Sequence, residues 1–367
     1  ISKDNKELTS LWMVGPRNRN IALNSGISQW THTLCNPKML GIKGEKTGRT
    51  LQKIISINRN KKTKILPKYI NNNIGGWKEA NNIEFFVDFE TCNGAVSNIK
   101  GLPFSNNENI LFMIGVGYID PATNIWIYKD FTVNKLNFSE ELRICKDFIT
   151  FIKEKTEKYG NIIAKCIHWA QAENNIWHDI VERHDPILNS WKLYWEWLDL
   201  LRIFKEEPIV IKGCMSFGLK DVASAMKNHG FITTSWNMNS SCIDGQSAMI
   251  AARESHNISR KKKINMSQIP IMEEIIKYNE VDVRVLYEII HYLRLYHISP
   301  NNSTKSSPPI NNKKRSRNST SFSEEIILER RNHHRNKRIK LIDTNEEEQN
   351  LSILTEMNNL SSSIEPI

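Results

Sequence analysis

The chain has 367 residues and a formal net charge of +10, from 50 Lys and Arg against 40 Asp and Glu. Its 40% hydrophobic and 25% charged residues are ordinary for a globular protein of one large or two modest domains. The longest apolar run, Ile110 to Ile119, is about half of what a membrane-spanning helix needs, so no membrane partner is expected. Cys35, Cys92, Cys145, Cys166, Cys214 and Cys242 are scattered, with no zinc-knuckle spacing and no secreted disulfide framework. They point to a reducing intracellular compartment, cytoplasm or nucleus. Usage heavy in Asn, Ile and Lys suggests an AT-rich genome, compatible with a large DNA virus.

The charge is uneven. Residues 1–80 hold 15 Lys and Arg against 4 Asp and Glu, residues 81–298 hold 24 against 27, and residues 299–367 hold 11 against 9. A basic N-terminal fifth favours a polyanion, nucleic acid above all. Simple solubility of a lysine- and asparagine-rich chain is the plainer alternative.

Three parts follow. In residues 1–80, Leu8–Asn24 is partly helix-like, interrupted at Gly15-Pro16. Gly26, an apolar patch at Ile27 and Trp30, and an amphipathic segment Thr50–Ile57 come next, before the basic run Arg59–Lys64. Helix, glycine turn and helix suggest a helix-hairpin-helix, which offers backbone N–H groups to phosphate; a structural cap on the main domain reads equally well.

Residues 81–298 alternate strands and helices. Ile83–Thr91, Asn109–Tyr118 and Ile125–Phe131 read as strands, the last two joined by the turn-rich Asp120–Asn124. A helix capped by Ser139 runs to about Tyr159, where Gly160 stops it. Asn161–His168 is an apolar strand, Ala172–His184 a helix, Trp191–Phe204 a Trp-rich helical stretch and Ser216–Asn228 a helix. Pro270–Tyr296 is a long final helix. Residues 299–367 are rich in Ser, Asn and charge and predict a mostly disordered tail with a helix at Ser323–Lys340. Its basic runs at 313–317 and 330–340 suit either a nuclear address or a nucleic-acid arm.

Four acids stand out. Asp88 and Glu90, two apart in Phe86–Thr91, share one face of a strand. Two adjacent buried carboxylates are unfavourable unless neutralised, and hard divalent cations such as Mg²⁺ and Mn²⁺ take carboxylate oxygen; a strand end reaching water would relieve them too. Glu173 follows Ile167-His168-Trp169-Ala170-Gln171-Ala172, where a strand passes into a helix. There it could simply complement the helix dipole. Tyr278 and Asp282 are four apart, on the face that continues through Val285 and Ile289.

In that order the motifs D-x-E, a later acid and Y-x-x-x-D resemble the DEDD exonuclease superfamily in its tyrosine-bearing form. More narrowly they resemble the YprB-type ribonuclease H-like domain of predicted RecB-family nucleases. Trp197-Leu198-Asp199-Leu200-Leu201 and Ser216-Phe217-Gly218-Leu219-Lys220 are similar to segments of that domain, and Leu8–Trp30 is similar to the leader of large-DNA-virus members. The resemblance covers residues 81–298. It implies an α/β ribonuclease H-like mixed sheet flanked by helices, with the first three strands antiparallel and the rest parallel. It also implies two Mg²⁺ or Mn²⁺ ions held by Asp88, Glu90, Glu173 and Asp282, a water oriented by Tyr278, and 3′→5′ hydrolysis of DNA or RNA. Lys277 stands where the histidine variant has its His. Glu173 stands where an aspartate is commoner, and the 109 residues from Glu173 to Asp282 imply an inserted element.

Lys220 is a candidate phosphate contact and His168 a packing or substrate contact. Asp199 reads as a helix acid, with a fifth acid near the metals as the alternative. A structure-specific endonuclease and a non-catalytic nucleic-acid-binding module are the rival readings. Gly41–Gly48 lacks the order of a phosphate loop, and neither paired zinc histidines nor a G-x-S-x-G elbow occurs.

Overall fold

A computed structural model describes residues 5–93, 109–160, 163–184, 194–237, 240–242 and 244–299, all within one compact unit. The tail from residue 300, with its expected helix and basic runs, lies outside them. The N-terminal part holds α1 (Pro16–Asn24), α2 (Glu45–Arg59) and the two-residue β1 (Ile65–Leu66). The main part follows: β2 (Glu84–Asn93), β3 (Asn109–Ile119), β4 (Trp126–Thr132), α3 (Phe138–Lys158), β5 (Ala164–His168), α4 (Ala172–His184), β6 (Trp195–Asp199), α5 (Leu200–Glu206), β7 (Val210–Ile211), α6 (Leu219–Asn228), α7 (Gly245–Lys262) and α8 (Ile271–Tyr296). No helix among the described residues is long and apolar enough to cross a membrane.

Five strands form one mixed sheet in the order β4-β3-β2-β5-β6. β2, β3 and β4 pair antiparallel, whereas β5 and β6 join parallel to β2. The chain is therefore α/β, with the strand directions expected. Alternation along β2 divides its side chains. Phe85, Val87 and Phe89 enter a core with α3, where the Phe89 and Phe148 rings meet edge-on at 6.3 Å. Phe86 enters the other core and packs on Tyr287 of α8 at 5.5 Å.

α8 can lie on that second face because β3 is thin there. A Cβ at Gly115 would sit 1.5 Å from Asn279 Oδ1, and one at Gly117 would sit 2.2 Å from the Trp126 ring. Far along α8, Arg294 forks onto Glu84 at 2.6 and 2.9 Å and donates to the Trp77 carbonyl at 2.7 Å.

Several expectations change. Trp191–Phe204 is not one helix: residues 195–199 form an edge strand and Asp199 caps α5 by accepting from Arg202 N–H. Its aromatics suit a strand, with Trp195 packed on Phe148 and Trp177 while Leu198 enters the opposite core. The cap of α3 is Asn137, whose side chain accepts from Glu140 N–H at 2.9 Å, not Ser139. The inserted element includes α7, whose buried face of Ala248, Ala251, Ala252, Ser255 and Ser259 gives a weak apolar stripe.

The N-terminal helices form no helix-hairpin-helix. Residues 25–44 separate them, and Arg59 staples that stretch by donating to the carbonyls of Trp30, His32 and Cys35. This region shares a core with α8 and β6. It is tied to the rest by β1 pairing with β7 and by Trp12 N–H donating to the Met215 carbonyl at 2.9 Å.

Gly115→Ala is expected to lower unfolding free energy by about 1–3 kcal/mol, the range for overpacking a filled core. Chemical denaturation checks it; an unchanged midpoint would show that α8 does not rely on the glycine.

Candidate metal centre

The site is built where α8 crosses β2. Asp88 and Glu90 project from the sheet face beneath the helix, and a bulge follows Glu90 in the pairing with β3. α8 supplies Asp282. The carboxylate oxygens of these three residues lie within 4.8 Å of one another. Glu90 and Asp282 are each 5% exposed, and Asp88 is half-buried.

Hydrogen bonds hold the three acids in place. Asn279, fully buried and one turn before Asp282, donates through Nδ2 to Asp88 Oδ2 at 2.8 Å and to Glu90 Oε1 at 3.3 Å. Its Oδ1 accepts from the Tyr128 hydroxyl at 2.9 Å. Trp236 Nε1 donates to Asp282 Oδ1 at 3.2 Å, and the Tyr278 hydroxyl bonds to Asp282 as well. Glu288, one and a half turns further along α8, accepts from the backbone N–H groups of Thr233 and Thr234 at 2.7 and 3.0 Å and from both hydroxyls. It thereby fixes the segment that delivers Trp236.

Charge is not balanced by these neutral donors. Burial, followed by the charges of Asp282, Glu90 and Glu173, pushes the Asp88 carboxyl well above its ordinary range. Burial and Asp282 push Glu90 up to about 8, and burial raises Asp282 to about 7. The three titrate as a set. Lys220 opposes the rise at all three. Its Nζ sits 4.6 Å from the Tyr278 ring centre and 5.6 Å from that of Trp236. Burial, with Asp282 behind it, also raises the Tyr278 hydroxyl, which stays protonated and acts as a donor.

The sequence-predicted residues fall into two groups. Asp88, Glu90, Asp282, Tyr278 and Lys220 converge. Glu173 stands beside them, close enough for its charge to act on all three acids, but outside the 4.8 Å group. Its Oε2 lies 3.0 Å from His168 Nδ1. His168 is 1% exposed, edge-on to Trp197 at 5.4 Å. So little surface leaves no room for a substrate contact; the imidazole positions Glu173 instead. Asp199 accepts from Ala170 N–H at 2.9 Å, where the backbone has φ 71°, and so fixes the turn leading to Glu173.

Sequence alone assigns no role to Asn279, which falls inside the third motif, or to Trp236 and Glu288. Asn279 was recoverable, since it lies three residues before Asp282 and shares its face. Trp236 reaches Asp282 from an irregular segment 46 residues away, and no local pattern announces it.

The donor set suits a hard divalent cation. It consists of carboxylate oxygens alone, buried and close, with one lysine to offset them. A further group, His178, Asp179 and Glu182, lies wholly exposed on α4 and lacks that burial. Comparison with protein-family models, curated proteins and solved structures finds no match to this chain.

A raised carboxyl pKa favours the protonated folded state. The Glu90 contribution to stability is full below its ordinary value of 4.5 and is lost as pH rises towards about 8. With a chelator present, the thermal midpoint of the wild type should therefore fall more steeply between those limits than that of Glu90→Gln. Equal slopes would contradict the buried, crowded state of the carboxyl. Adding Mn²⁺ should raise the wild-type midpoint more at the upper pH limit than at the lower.

Proposed function

We propose that the protein is a metal-dependent nuclease of ribonuclease H-like fold, hydrolysing phosphodiester bonds of DNA or RNA from the 3′ end. The observation that carries this reading is the convergence of Asp88, Glu90 and Asp282, from a central strand and the last helix, within 4.8 Å. Support also comes from the strand order, with three antiparallel strands followed by two parallel ones. The acid on the strand-to-helix turn after β5 adds to it.

Asp88, Glu90 and Asp282 would hold two Mg²⁺ or Mn²⁺ ions, with Glu173 completing the set. Such a pair supplies an activated water, a stabilised leaving 3′ oxygen and charge to screen the phosphoryl group. The chain's own residues do the rest. Asn279 and Trp236 hold the carboxylates with fixed donors, so no reorganisation is needed as charge develops. Tyr278 cannot serve as a base, because its hydroxyl holds its proton; it orients the attacking water as a hydrogen-bonding partner. Lys220 offsets the charge of all three acids and would meet a non-bridging phosphate oxygen. Between them the Tyr278 and Trp236 rings shape one wall, and the Lys220 ammonium rests against both faces.

Cleavage of end-labelled oligonucleotides with Mg²⁺ or Mn²⁺ tests the proposal. Asp88→Asn should abolish cleavage while retaining oligonucleotide binding, and Tyr278→Phe should lower kcat by about 10²-fold or more. A wild-type rate for Asp88→Asn would end the assignment. A circular single strand separates the two kinds of cut: an exonuclease leaves it intact, whereas the rival endonuclease opens it.

A further inference from the structure

A second feature lies at the far end of α7. A cavity of about 520 Å³ opens between the β4–α3 connection and the last turn of α7 with the residues after it. Lys135, Arg260 and Lys263 line it, and none of its described lining residues is acidic. The nearby Glu140 is already committed, accepting from Arg143 at 2.8 Å and from Asn134 N–H at 2.7 Å.

His256 forms part of the wall and is 6% exposed. Its Nδ1 accepts the Leu136 backbone N–H at 3.2 Å. The imidazole therefore carries its hydrogen on Nε2, which has no other partner among the described residues and remains a donor. Burial, then the charges of Arg260 and Lys135, holds the His256 pKa below its ordinary value, so both cations act on the same ring. Cations at a helix C-terminus complement the helix dipole. That accounts for Arg260, but not for Lys135, which comes from another element, nor for a concave wall with a buried donor.

The cavity is distant from the acids yet linked to them by α7. That helix begins three residues after Cys242, whose thiol feels the charges of Glu90, Lys220 and Asp282. From Gly245 to Arg260 the helix advances about 22 Å at 1.5 Å per residue. This is about six steps of a nucleic-acid strand at 3.4 Å each.

We propose that the cavity binds a backbone phosphate of the nucleic-acid strand whose end occupies the metal centre, about six nucleotides away. The proposal rests on the nuclease reading for the strand's direction. Its chemistry, a phosphate met by two side-chain cations and an imidazole N–H, stands on the cavity alone. Lys135 and Arg260 are exposed, so replacing them leaves the core intact.

The test uses the full chain carrying Asp88→Asn to prevent cleavage, with and without Lys135→Gln and Arg260→Gln. Fluorescence anisotropy measures binding of labelled oligothymidylates of about four and about twenty nucleotides over a salt series. For the long strand, the double substitution should weaken binding at least about tenfold. It should also reduce the logarithmic salt slope by about 0.7, the value for one lost phosphate contact on a single strand. Binding of the short strand should not change. Unchanged binding of the long strand, or equal losses at both lengths, would overturn the proposal. Inorganic phosphate supplies the other arm. If it raises the thermal midpoint through these two residues while long-strand binding ignores them, the cavity serves free phosphate and the strand anchor is wrong. Should the double variant unfold early, Lys135→Gln alone, outside any helix, gives the same reading with a smaller loss of long-strand affinity. Failure of the unaltered protein to cleave any nucleic acid would sink the nuclease reading and leave the anisotropy result standing.

Discussion

Three carboxylates from two elements are pressed together where water has little access, and the rest of the fold has to overcome that. Each has lost solvation and each repels the others, so the arrangement opposes folding wherever all three are ionised. Neutral donors soften this without removing it. Asn279 and Trp236 provide hydrogen bonds, and Lys220 provides opposite charge. The force that keeps α8 on β2 comes from elsewhere along the helix. Val283, Leu286, Ile289 and Ile290 are buried in one core, and the Arg294–Glu84 fork closes the far end. The helix is thus held by apolar burial and one buried ion pair, and the acids are carried into contact with it.

That division explains the unusual composition of the interface. Directly beneath Asn279 the sheet presents Gly115, and beneath Val283 it presents Gly117. In β3 every other described residue from Ile110 to Tyr118 is a buried apolar side chain. The missing side chain at Gly115 leaves room for a polar amide to come within reach of Asp88 and Glu90, and that at Gly117 leaves room for Trp126 and Val283. Stability forgone in the strand is recovered as geometry at the site, a local departure of the kind expected where function constrains sequence. The supports behind the acids follow the same logic. Glu288 secures the Trp236 segment, Asp199 secures the turn before Glu173, and His168 secures Glu173 itself.

Legibility in the sequence followed the range of the interaction. β2 was readable because strand alternation places Asp88 and Glu90 on the face opposite Phe85, Val87 and Phe89. α8 was readable because its apolar stripe is long. Both depend on near neighbours. Residues 195–199 form a strand where the sequence suggests a helix, because closely spaced tryptophans fit a helical stripe and a strand about equally and only pairing with β5 decides between them, whereas residues 200–204 are helical as expected. α7 is not legible in the sequence because alanine and serine bury little apolar area each, so its inner face carries almost no periodic signal. Trp236 and Glu288 act on the site through tertiary contacts between segments about 50 residues apart, which no local pattern encodes.

Charge followed a different rule, and linear averages concealed it. The N-terminal fifth carries the basic excess, yet part of that charge is consumed internally. Arg59 is spent on three carbonyls, Arg19 on Glu7 at 2.7 Å and Lys46 on Glu206 at 3.3 Å. The converse holds in the middle of the chain, where acids outnumber bases overall. There the buried acids of the site gather on one side of the sheet. Lys135 and Arg260, 125 residues apart, meet on one cavity wall. A segment's net charge therefore says little about where a polyanion would lie. What matters is which charges remain after the fold has used the others, and in this chain the central segment, net acidic, supplies both the buried carboxylate cluster and the basic cavity.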